Sequence, residues 1–185
     1  MNQLLTVPLH LLDALLFCDP EKGILVWKPR APELFKNKSR CNSWNARFAY
    51  KQAFSELNAA GYYHGRVMGR RLLAHRVIWA FAYGKWPHNH IDHINGNPAD
   101  NRILNLRVVT RSENRKNSAR PNNNTSGVCG VTHFGKKWQA QIRTDRKLIH
   151  LGTFPTRDEA VAARKSAEQK YGFHPNHGRD TQCTT

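Results

Sequence analysis

The chain has 185 residues, enough for one moderate hydrophobic core or two small ones. Lys and Arg number 29 against 13 for Asp and Glu, and the resulting charge of +16 draws the protein towards a polyanion, with nucleic acid as the first candidate. The basic residues are spread from Lys22 to Arg179 rather than along one amphipathic helix, the apolar stretch Leu9 to Phe17 has no basic leader, and Cys18, Cys41, Cys129 and Cys183 form no C-x-x-C pair; membrane attachment, export, a zinc ribbon and a disulfide framework are therefore not expected.

Residues 4 to 17 carry a helical pattern, and Asp19-Pro20-Glu21-Lys22-Gly23 is a turn leading into a short strand from Ile24 to Lys28. From Pro29 to Asn58 the chain is polar and mixed, with Trp44, Phe48 and Tyr50 as scattered anchors and no assigned element. Gly61 to Leu73 reads as a hairpin turning at Gly69, and Ala74 to Tyr83 as a helix ended by Gly84 and Pro87. Ile91 to Ile94 is a strand, Asn95-Gly96-Asn97-Pro98 opens a polar loop, and Leu106 to Val109 is a second strand. Thr110 and Glu113 form a capping box that starts a helix. Residues 118 to 127 have no apolar periodicity and mark a linker or boundary. Beyond it lie three strands, Gly130 to Phe134, Trp138 to Thr144 and Leu148 to Phe154. A helix follows, capped at Thr156 and Glu159, with Ala160, Ala163, Ala167 and Tyr171 on one stripe.

Hydrolysis of a phosphodiester needs an activated water, an electrophilic partner for the phosphate and help for the leaving oxygen; a base and a divalent cation supply all three. Asp92, His93, Asn95, Asn97, Asp100, Asn101, Asn105 and Asn114 crowd into one segment and offer an imidazole with many hard oxygens. Such donors suit Mg²⁺ or Mn²⁺, whereas zinc would want cysteine and more histidine. The same residue types also build ordinary turns, so composition alone leaves both readings open.

The wording of the segment adds to this. His75-Arg76, Trp86-Pro87, Ile91-Asp92-His93-Ile94-Asn95-Gly96-Asn97, Asp100-Asn101-Arg102-Ile103, Asn105-Leu106-Arg107 and Thr110-Arg111-Ser112-Glu113-Asn114 together resemble the phage HNH homing endonucleases. The resemblance implies a ββα-metal fold, a hairpin and helix around one divalent ion. It implies His93 as general base, Asp92 as metal ligand, Asn105 as the residue that holds the imidazole, and Asn114 as second metal ligand. Glu113 is the alternative ligand, expected to be occupied by the cap. Arg76, Arg102 and Arg107 are candidate phosphate contacts, and His75, His88 and His90 are weaker candidates for the chemistry.

In the last third, Trp138-Gln139-Ala140-Gln141-Ile142-Arg143 alternates, turning Ala140 and Ile142 towards a helix and Gln139, Gln141 and Arg143 to an open face. Such a face is either simply solvated or a major-groove reader, where Gln bonds adenine and Arg guanine. Ser126 to Val131, Lys137 to Arg143, His150 to Phe154 and Thr156 to Ala160 resemble the AP2 DNA-binding domain. That resemblance implies DNA contacts at Thr132, Phe134, Gln141, Arg143 and His150, with Thr132, Phe134 and Leu148 standing where the family has arginines.

The expected protein is thus of the α+β class, a ββα-metal core followed by a small three-stranded-sheet-plus-helix domain. The expected divisions are an N-terminal region at 1–60, a nuclease domain at 61–119, a linker at 120–127, an AP2-like domain at 128–174 and a tail at 175–185. The expected activity is Mg²⁺- or Mn²⁺-dependent cleavage of double-stranded DNA to 5′-phosphate and 3′-hydroxyl ends. No small-molecule cofactor or membrane is expected, and the enzyme is read as a monomer on DNA in the cytoplasm of a phage-infected cell. The rivals are a non-catalytic DNA-binding factor on an inactive nuclease scaffold, and an RNA-binding protein.

Overall fold

The computed structural model describes residues 7–180, a mixture of helix and sheet in two compact units, Met1–Val108 and Val109–Thr185. Cys18, Cys41 and Cys129 are free thiols; Cys183 lies outside the described residues. No helix among the described residues is long and apolar enough to cross a membrane.

In the first unit, α1 (Leu9–Leu15) leads directly into β1 (Leu16–Asp19), which pairs antiparallel with β2 (Ile24–Trp27). The polar stretch left unassigned from sequence contains α2 (Lys38–Phe48), capped by the Asn37 side chain on the Arg40 amide. One face of α2 carries Trp44, which meets Trp27 edge-on at 5.8 Å and lies under the Arg30 guanidinium at 3.8 Å. The strands β3 (Glu56–Leu57), β4 (Tyr63–Val67) and β5 (Arg70–Leu73) follow as an antiparallel sheet. After it α3 (Ala74–Tyr83) ends at Gly84, whose φ of 65° provides the left-handed cap.

Val7, Leu12, Leu16, Leu25, Phe54, Val67, Val77 and Ile78 are buried together, so the described part of the N-terminal region shares one core with the hairpin and α3. The apolar spacing of α3 puts Ala74, Val77 and Ile78 into that core. β6 (His90–His93) pairs with β7 (Leu106–Val109), and the connection between them is the polar loop of residues 94–105.

The second unit starts with the short helix α4 (Arg111–Arg115), held by the reciprocal capping box of Thr110 and Glu113. β8 (Val131–Phe134), β9 (Lys137–Thr144) and β10 (Lys147–Phe154) form an antiparallel sheet in the order β10-β9-β8. α5 (Arg157–Lys170) covers it through Ala160, which is fully buried with Val131 and Ala140. Small side chains there let helix and sheet approach closely.

The same side of α5 also buries Arg164 and Glu168, paired at 2.9 Å, with Arg164 further donating to the Gln141 carbonyl at 2.7 Å. The stretch expected as a linker is tied into this unit. Arg120 donates its amide to the Arg179 carbonyl at 2.8 Å, and the Arg157 guanidinium donates twice to the Ser126 carbonyl. The described part of the tail is likewise paired, through Gly178 on Ser118 and His174 on Lys116.

Candidate active site

The loop between β6 and β7 is built by asparagines. Gly96, with φ 76°, lets the chain turn back so that its amide bonds the His93 carbonyl at 2.8 Å. The Asn105 carboxamide accepts from the Asn95 amide at 2.9 Å and donates to the Asn95 side chain at 3.0 Å and the Asp100 carbonyl at 2.8 Å. Asn95 also donates to Asp100 at 2.8 Å. Arg102 forks onto both Asp100 oxygens, and its hydrogen bonds hold that carboxyl down at about 2.

His93 is buried at 4 % exposure, and its Nε2 lies 3.2 Å from Oδ1 of Asn101. An amide oxygen accepts, so Nε2 carries the proton and the ring lone pair is on Nδ1. Burial lowers the His93 pKa; the Asn101 hydrogen bond and the nearby Asp92 and Asp100 charges pull the other way without overcoming it. The imidazole is therefore neutral near pH 7, the form a proton acceptor needs. His75, at 4 % exposure, meets His93 edge-on at 5.1 Å, and Tyr62 lies 5.2 Å from His75 and 5.7 Å from His93. Nδ1 of His75 is buried with no hydrogen-bond partner, and burial drives its pKa down to about 3.

Asp92 is also buried, at 7 %, and its Oδ2 accepts from Arg107 through Nε at 2.9 Å and a terminal nitrogen at 2.8 Å. Neighbouring strand residues alternate faces, and Asp92 and His93 accordingly have different surroundings. Among the described residues no three His, Cys, Asp or Glu side chains gather so as to hold a metal. The donors of this segment are the carboxylates of Asp92 and Asp100 and several amide oxygens, a set that fits a hydrated hard cation rather than a zinc cage.

Three of the expected site residues have partners within the protein. Asn105 does not hold the imidazole; its side chain is used up in stapling the loop, and Asn101 is the residue on the His93 ring. Arg76 is spent on the Asn89 and Pro87 carbonyls at 3.1 and 3.0 Å, fastening the segment after α3 rather than projecting to a phosphate. Arg107 neutralises Asp92. Arg102 is exposed on the loop, His88 is exposed ahead of β6 and His90 at its start, while Asn114 belongs to α4 in the second unit, where its amide bonds Thr110 at 3.0 Å.

In the second unit the register pairs Gln139 with Thr132, Gln141 with His150, Arg143 with Leu148 and Phe134 with Lys137. Directly opposed residues share a face, so Thr132, Phe134, Gln141, Arg143 and His150 stand on one side of the sheet, with Phe134 63 % exposed. His150 is additionally within 3.1 Å of the Gln139 amide.

The roles of Asn101 and Gly23 carry no signal in the sequence. Asn101 looked like one more loop asparagine. Gly23 looked like a generic turn residue, yet its α-carbon faces the loop so closely that a Cβ would lie 2.5 Å from the Arg102 nitrogen and the Asn101 carbonyl carbon. The Ile103 amide bonds the Pro20 carbonyl at 2.8 Å, so the β1–β2 turn is a buttress for the segment carrying Asn101.

Residues 72–116 match the family model described as HNH endonuclease. The chain is 34 % identical over 76 residues to protein 3.8 of Escherichia phage T7, a match covering 40 % of this chain and 63 % of that protein. It is 43 % identical over 47 residues to an ethylene-responsive transcription factor-like protein of Arabidopsis thaliana, covering 25 % of this chain and 21 % of that one. The chain thus spans less than two thirds of either relative. No solved structure matches.

Proposed function

We propose that this chain is a metal-dependent DNA endonuclease of the homing type, in which His93 is the general base and the second unit is an AP2-like reader of double-stranded DNA. The observation that carries the reading is His93 itself: buried, neutral, oriented by Asn101 and set beside Asp92 inside the segment that matches an HNH nuclease domain. Nδ1 of the imidazole takes the proton of the attacking water, and Asn101 fixes the tautomer that makes this possible.

Asp92 would be a ligand of one Mg²⁺ or Mn²⁺, which when bound supplies electrophilic assistance to the phosphate and its leaving oxygen. Arg102 and the open sheet face, through Thr132, Phe134, Gln141, Arg143 and His150, position the duplex. The N-terminal region acts as structural support for the nuclease segment, with which it shares a core. The cytoplasm of a phage-infected cell suits such an enzyme, in keeping with the similarity to a phage protein.

Incubation of purified protein with supercoiled plasmid and Mg²⁺ tests the reading: nicking that disappears with EDTA and in His93→Ala supports it. A non-catalytic DNA-binding factor is the second reading, favoured by the similarity to a transcription factor-like protein and by the occupation of Asp92 by Arg107. Such a protein shifts labelled duplex in a gel and leaves it intact with every divalent metal.

A further inference from the structure

The second unit contains a cleft of about 640 Å³ between α4, the β9–β10 turn and the segment after α5. Arg111, Arg115, Lys116, Arg143 and Arg146 line it, with Asp145 as the one acidic residue among the described lining and Phe173 as an aromatic wall. Lys116 is already engaged with the Tyr171 carbonyl at 2.7 Å. The side chains of Arg111, Arg115, Arg143 and Arg146 have neither an ion-pair nor a hydrogen-bond partner among the described residues. By contrast Arg164 at the back of the cleft is fully paired with Glu168.

Four uncompensated guanidiniums in one concavity repel each other, an arrangement that a ligand with repeating negative charge relieves and a single small anion does not. The β9–β10 turn adds an independent sign. Asp145 and Arg146 sit at φ 47° and 65°, the two central positions of a tight hairpin where glycine or asparagine is favoured. Arginine there is held in a strained backbone conformation and lines the cleft.

We infer that this cleft is a second DNA-binding surface, distinct from the open sheet face, which grips the sugar-phosphate backbone through Arg111, Arg115 and Arg146. Gln141 and Arg143 stand where the two surfaces meet, while Thr132, Phe134 and His150 do not line the cleft. α4 supplies one wall through Arg111 and Arg115. The inference rests on the DNA-binding reading above.

Its test is the salt dependence of binding of the full chain to a random-sequence 30-base-pair duplex, which reports phosphate contacts whatever the recognition sequence. Arg115→Gln combined with Arg146→Gln lowers the slope of log K against log[NaCl] by between about one and two, at roughly 0.9 per phosphate released. The charge-matched pair Lys38→Gln and Arg40→Gln on α2 leaves the slope unchanged. Thermal melts verify that both variants fold. An unaltered slope in the cleft variant while the wild type binds, or an equal drop in the α2 variant, overturns the cleft and leaves the DNA-binding reading standing. Failure of the wild type to bind duplex at all, or tighter binding of an RNA hairpin, overturns both.

Discussion

The Arg107 guanidinium closes on a single oxygen of Asp92, Oδ2, with Nε at 2.9 Å and a terminal nitrogen at 2.8 Å. A cation that uses this carboxylate competes with the arginine for it. Arg107→Gln therefore has two effects. It lowers stability by about 1 kcal/mol, discounted for the partial exposure of the arginine, because a buried carboxylate loses a charged partner. It also lowers several-fold the Mn²⁺ concentration at which binding is half complete. Urea unfolding and calorimetric Mn²⁺ titration read the two; an unchanged Mn²⁺ midpoint excludes competition at Asp92.

Gly23 controls the site from outside it. Gly23→Ala puts a methyl where the Asn101–Arg102 backbone runs and does so at a φ of 69°, so the loop has to move. The expected result is a loss of at least tenfold in cleavage rate, with the His93 ring proton resonances shifted as the Asn101 hydrogen bond weakens. Wild-type cleavage by this variant would show that the turn is not a buttress.

Asn101 and Asn105 separate orientation from architecture. Asn101→Ala loses one hydrogen bond to His93 and is expected to lower cleavage at a cost of about 1 kcal/mol or less. Asn105→Ala removes three hydrogen bonds and is expected to cost about 2–3 kcal/mol in urea unfolding. Equal stabilities for the two would contradict the assignment.

Acid acts through His75. Its folded-state pKa, about 3, lies below the ordinary 6.5, so the unfolded chain binds the proton more readily. The stabilisation is complete above pH 6.5 and is lost as pH falls towards 3, amounting to about 2–3 kcal/mol by pH 4.5. His93 pushes the same way. His75→Phe removes this component, and unfolding followed by tryptophan fluorescence at pH 7 and 4.5 should show a smaller acid loss than the wild type. An identical loss in both proteins would mean that His75 is not buried as a neutral ring.

The elements with strong local chemistry were readable in the sequence. The hairpin turning at Gly69, the helix from Ala74, the capping box of Thr110 and Glu113, and the alternation through Ala140 and Ile142 all depend on near neighbours, and the structure follows them. α2 was not readable, because its apolar contact comes down to Trp44 against Trp27 and Arg30, partners distant in sequence. The buried Arg164–Glu168 pair was hidden for a related reason, since i,i+4 charges ordinarily mark a solvated helix face. In the site, composition located the loop but not the division of labour within it. Which asparagine staples and which touches His93 depends on how the β1–β2 turn props residues 101–103, a contact between segments far apart in the chain.

The most direct measurement is strand cleavage of supercoiled plasmid by wild type and His93→Ala in Mg²⁺ or Mn²⁺, with both strands mapped and DNA binding measured in parallel. The expected outcome is wild-type cleavage leaving 5′-phosphate and 3′-hydroxyl ends, abolished by EDTA, and a His93→Ala protein that binds as tightly but cuts at least a thousandfold more slowly, on the order of magnitude of losing a general base. Cleavage that survives either EDTA or the His93 substitution would contradict the account.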